Sequence, residues 1–161
     1  MGPLARAVGF VLAGAVSSFA PPADDACPPG SSDAARAIRV KALLAATPDG
    51  ERLAREGTGA ANVCFVAGDG GLTAARVALL DRAASPAAQA ARLGHLWQHV
   101  LDAAPSTEPA PGEACESWRA RTAVAEARGD AVEARVARGL LVSAPRDRKE
   151  RDVAYDARCP R

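Results

Sequence analysis

Between Asp33 and Ala46 apolar side chains recur at helical intervals, Ile38, Leu43 and Leu44 among them, and Ser32 or Asp33 can cap the first turn. Thr47-Pro48 is a second cap signal and opens a short helix through Leu53 to a stop near Gly57. Asn62 to Ala67 is short, apolar and β-branched, which predicts a strand. Gly68-Asp69-Gly70-Gly71 predicts a turn, and Leu72 to Leu80 a second strand that completes a hairpin. Ser85-Pro86 opens a central helix to about Asp102. Its Leu93, Leu96, Trp97, Val100 and Leu101 keep the spacing of one helical face. Ala103 to Gly112 reads as a Pro-rich loop, and Glu113 to Arg128 as a helix with Trp118 and Val124. Gly129 predicts its end. Asp130 with Glu133 predicts the start of a last helix bearing Val132, Val136 and Leu140, closed by Pro145. The fold class expected is α+β, mainly helical, with a small β-hairpin packed on a central helix.

Composition narrows the function classes. In 161 residues the apolar set makes up 48% and charged residues 24%, the balance of a globular domain. Aromatics are only 4%, so the core must rest on Leu, Val and Ala. A net charge of +1 creates no field for nucleic acid or for an anionic membrane. No run beyond the N-terminus approaches the roughly 20 apolar residues of a membrane span.

Residues 1–20 have the layout of a secretory signal peptide. Arg6 supplies the positive charge, Ala7 to Val16 the apolar stretch, and Ser17, Ser18 and Ala20 the small residues before cleavage, which can fall as late as Ala26. The expected location is therefore periplasmic or extracellular. Residues 21–32 read as an irregular arm, 33–145 as a single domain, and 146–161 as a charged tail. Four cysteines in an exported chain predict two disulfides, with three possible connectivities. The favoured pairing is Cys64 with Cys115, and Cys27 with Cys159 tying the tails. The absence of any C-x-x-C pair disfavours an all-cysteine metal site or a thioredoxin-like centre.

The chemistry concentrates at His95 and His99, the only two histidines. Four apart on one helix, they lie one turn apart on one face, the spacing by which a helix chelates zinc. That face lies nearly opposite the Leu93/Trp97/Val100 stripe, so the pair is expected to border a cleft or solvent. Arg92 flanks it, and its charge opposes a bound cation unless the side chain swings away. Gly68-Asp69-Gly70-Gly71 lacks the Lys and helix start of a phosphate loop. No Ser-His-Asp or Cys-His arrangement is suggested, and Trp97 and Trp118 read as core anchors.

The order of parts resembles the small H-E-x-x-H zinc metallopeptidases, the gluzincin branch of the zincins. The matching segments are Thr47-Pro48-Asp49-Gly50-Glu51-Arg52-Leu53, the strand pair from Asn62 to Leu80, Ala91-Arg92-Leu93-Gly94-His95-Leu96-Trp97-Gln98-His99, and Glu116-Ser117-Trp118-Arg119. The resemblance covers Ala34 to Gly129 and implies a zincin-like fold with zinc held by His95, His99 and Glu116; Glu113 and Asp102 are alternative third ligands. Leu96 stands where the family carries its catalytic Glu, the general base that activates zinc-bound water. Leu96 can instead turn into the core.

Three readings of function are open. One is an exported zincin-like pseudoenzyme without peptidase activity, keeping zinc or a groove for peptide or protein. The second is a metal-free helical structural or interaction domain. The third is an active metallopeptidase in which Asp102 or Glu113 replaces the missing base.

Overall fold

The computed structural model describes residues 27–56, 62–68, 70–73, 76–103, 109 and 111–143. The signal-like segment and the charged tail lie outside the described residues. Among the described residues six elements succeed one another: α1 (Ala34–Ala45), α2 (Pro48–Arg55), β1 (Val63–Val66), β2 (Ala78–Asp81), α3 (Pro86–Leu101) and α4 (Cys115–Gly139). The fold is α+β and mainly helical, with a two-stranded sheet and a disulfide.

Three helix starts are capped as their sequences require. Asp33 accepts a hydrogen bond from the Arg36 backbone N–H, Thr47 from Gly50 and Ser85 from Ala88. Each bond satisfies a donor that the first helical turn leaves orphaned. Thr47 also donates to the Leu44 carbonyl at 2.7 Å, joining the end of α1 to the start of α2.

The strand pair departs from the expected hairpin: β1 and β2 run parallel, with Val63 opposite Ala78 and Phe65 opposite Leu80. The segment Leu72 to Leu80 is not one strand. Thr73 closes a turn inside it, its N–H donating to the Val77 carbonyl and its hydroxyl accepting from the Val77 N–H. The chain therefore reverses twice, once between β1 and Leu72 and again between Thr73 and Val77. Leu72 pairs antiparallel with Ala78, and this aligns β2 with β1. Gly70 permits the approach because its backbone lies against Leu79, where a Cβ would fall 1.9 Å from the carbonyl oxygen.

The disulfide also differs from expectation. Cys64 bonds Cys27, with Cα atoms 5.5 Å apart, and not Cys115. The arm runs beside β1, where the Phe65 N–H donates to the Ser31 carbonyl, and this brings Cys27 within bridging distance. Cys115 is itself disulfide-bonded. The same bond overturns the expected Cys27–Cys159 tie, and Cys159 itself lies outside the described residues.

The core lies between α1, α3, α4 and the sheet, around Val40, Leu44, Leu53, Phe65, Leu80, Leu93, Leu96, Val132 and Val136. Trp97 and Trp118 are both buried, whereas Ile38 and Val124 are exposed. Arg36 links the layers. It stacks over the Phe65 ring and donates to Gln89 and to the Arg82 and Ala84 carbonyls.

The largest correction concerns α4, which runs unbroken through Gly129. Its buried residues Trp118, Thr122, Ala125, Gly129, Val132 and Val136 recur every three or four positions. That is a packing stripe in which small side chains replace apolar ones, so hydrophobicity alone does not reveal it. The stripe packs on α3.

Candidate metal centre

Helix α3 is buried on more than one side. Leu93, Leu96 and Trp97 face the core, and His95 and His99 are buried too, at 0% and 8% exposure. The histidines border neither a cleft nor solvent: α4 covers them. The approach is close because Gly129 has no side chain. A Cβ there would sit 2.8 Å from Cδ2 and Nε2 of His95, so the imidazole occupies the space a larger residue would fill.

Around this contact α4 places Glu126, Asp130 and Glu133 on one face, at i, i+4 and i+7. The two histidines meet through their Nε2 atoms at 2.8 Å. Glu126 receives both, with Oε2 3.3 Å from His95 Nε2 and Oε1 3.2 Å from His99 Nε2. On the far side of the His95 ring, Nδ1 lies 3.0 Å from Glu133 Oε2 and 3.2 Å from Asp130 Oδ1. Neither contact has the geometry of a hydrogen bond from Nδ1. Arg92 Nη1 stands 3.4 Å from the same Glu133 oxygen. Glu133 Oε1 and His99 Nδ1 are buried without a hydrogen-bond partner.

Three carboxylates facing one guanidinium leave this interior negatively charged while the imidazoles are neutral. Burial opposes protonation of His95, but Asp130, Glu126 and Glu133 together outweigh burial and the repulsion of Arg92, raising its pKa to about 9. Burial likewise favours the neutral form of Glu126, and its contacts with His95 and His99 overcome this, holding its carboxyl well below the usual carboxylate range.

His95, His99 and Glu126 bring one donor atom each to within 4.8 Å of one another, as do His95, Asp130 and Glu133. These buried groups can hold a metal ion. The first set combines two imidazole nitrogens with a carboxylate, the donor chemistry of zinc. The residues present therefore fit that ion.

The sequence-derived candidates divide. His95 and His99 converge. Glu116 is exposed in the first turn of α4, ten residues or about 15 Å along the axis from Glu126. Glu113 pairs with Arg121. Asp102 accepts from Gln98 and pairs with Arg128. Glu126 is not among the sequence-derived candidates, and Asp130 and Glu133 pass for a helix start because Gly129 resembles a stop. Their i, i+4, i+7 spacing, matching the i, i+4 spacing of the histidines, is the signal that could have found them. Leu96, where a zincin carries its base, is buried in the core.

No known protein family matches this chain, and no curated protein or solved structure is detectably similar to it.

Proposed function

We propose that this chain is an exported, zincin-like domain without peptidase chemistry that retains a zinc site formed by His95, His99 and Glu126. The observation that carries the reading is the convergence of those three donors in a buried, negatively charged interior. Zinc there would neutralise charge that a helix interface otherwise holds at a desolvation cost. Leu96 supports the loss of hydrolysis, since no carboxylate occupies the adjacent position to activate water. Asp102 and Glu113, the candidates for a displaced base, are engaged with arginines. The signal-like pattern of residues 1–20 supports export. Peptide or protein is the class of partner that this scaffold suggests.

Metal content of the purified chain tests this directly. About one equivalent of zinc is expected, lost in His99→Ala and in Glu126→Gln, with no chelator-sensitive hydrolysis of casein. Robust zinc-dependent proteolysis would reinstate the active-enzyme reading.

A second reading has its own support. Protonated His95 already neutralises part of the carboxylate cluster, so the same contacts can serve as a metal-free clamp between α3 and α4. Under that reading the protein takes up no zinc and its melting temperature ignores both zinc and chelator.

A further inference from the structure

We infer that Asp130 and Glu133 are positioning residues, which fix the His95 ring so that Nε2, and not Nδ1, is presented to a cation held with His99 and Glu126. The inference rests on the zinc reading above. An imidazole offers either nitrogen to a metal, and the partner of the other nitrogen decides which one. Here both carboxylates lie against Nδ1, at 3.0 and 3.2 Å, while Nε2 points to His99 and Glu126. A ring flip about Cβ–Cγ would replace Nδ1 by a C–H and turn it against two carboxylates. Gly129 closes one face of the ring, since a Cβ there would lie 2.8–2.9 Å from Cδ2, Nε2 and Cε1 alike. One short stretch of α4 thus supplies the ligand Glu126, the wall Gly129 and the orienting pair.

Glu133 is the better placed of the two. It is 4% exposed, and Arg92 Nη1 lies 3.4 Å from the oxygen that faces Nδ1. Asp130 is more open, with its side chain 34% exposed. The same guanidinium separates this role from that of a second metal site. Its fixed charge already stands beside Glu133, where a second cation would have to sit. Asp130 and Glu133 therefore act on the metal through His95 rather than by ligation.

The test is zinc titration of the full chain against a chromophoric chelator, beside the absorption spectrum of the Co²⁺-loaded protein. Asp130→Asn/Glu133→Gln is expected to keep about one zinc per chain, weakened about 10–100-fold, the usual effect of losing such partners. The Co²⁺ ligand-field bands should shift, because the donor strength and orientation of His95 change; a purely structural role would leave them in place. Glu133 is buried, so the double variant can fail to fold. Asp130→Asn alone then carries the test, with an expected several-fold loss of affinity and a smaller spectral shift. Affinity and spectrum both unchanged would overturn the inference. So would a second zinc equivalent in the unsubstituted chain that the double variant loses, since the pair would then be ligands. No zinc uptake by the unsubstituted chain overturns the zinc reading itself, an outcome distinct from the other two.

Discussion

The His95 imidazole lies against the backbone of Gly129, so close that a single added methyl group would overlap its ring at 2.8 Å. A glycine within a 25-residue helix is unfavourable by about 1 kcal/mol relative to alanine. Here the empty Cβ position seats a ring and sets the spacing of α3 and α4.

Gly129→Ala separates these two effects. Helix propensity predicts a gain of about 1 kcal/mol. Overlap with a fully buried ring predicts a net loss of about 1–3 kcal/mol, together with loss of zinc uptake. Urea denaturation decides between them, and a stabilised variant would mean that His95 does not pack on Gly129.

The cluster makes stability pH-dependent in the absence of metal. His95 has its folded pKa raised from 6.5 to about 9. Its contribution is therefore complete below about 6.5 and disappears as pH rises through about 9. Glu126 is depressed, so its contribution is present above its ordinary pKa and is lost as pH falls below that range. The melting temperature of the chelator-treated protein should fall between about pH 7 and 10, and His95→Gln should flatten that slope. Parallel slopes in the two proteins would remove His95 as the cause.

Leu96→Glu introduces a carboxylate at a position that is 2% exposed. It removes a buried apolar side chain and buries a charge without a partner. The expected loss is about 3 kcal/mol or more. Thermal unfolding of the variant should begin well below that of the parent, and an unchanged melting temperature would show that the position opens to solvent.

Cys27–Cys64 ties the N-terminal arm to β1 across 37 residues of chain. Replacing both cysteines by Ser should cost about 2–4 kcal/mol, read as a lower denaturation midpoint. A non-reducing peptide map should yield a Cys27–Cys64 cross-link. Recovery of a Cys64–Cys115 peptide would contradict this arrangement.

Local features are legible in the chain itself. Asp33, Thr47 and Ser85 mark helix starts because each side chain satisfies backbone donors only three residues away. His95 and His99 share a face through the helical repeat alone, and Leu96 is legible as core from its place beside the Leu93/Trp97 stripe. Everything else depends on tertiary packing, because the forces involved act between segments far apart in the chain. Gly129 reads as a stop until a ring from another helix is found in its empty space, and α4 then continues through it. The strands run parallel because the chain turns back after β1 and again at Thr73, which sets Leu72 antiparallel to Ala78. Cys64 finds Cys27 because the arm docks on β1. Glu126 rather than Glu116 meets the histidines because the crossing of α3 and α4, set by small side chains on α4, decides which turn of that helix faces them.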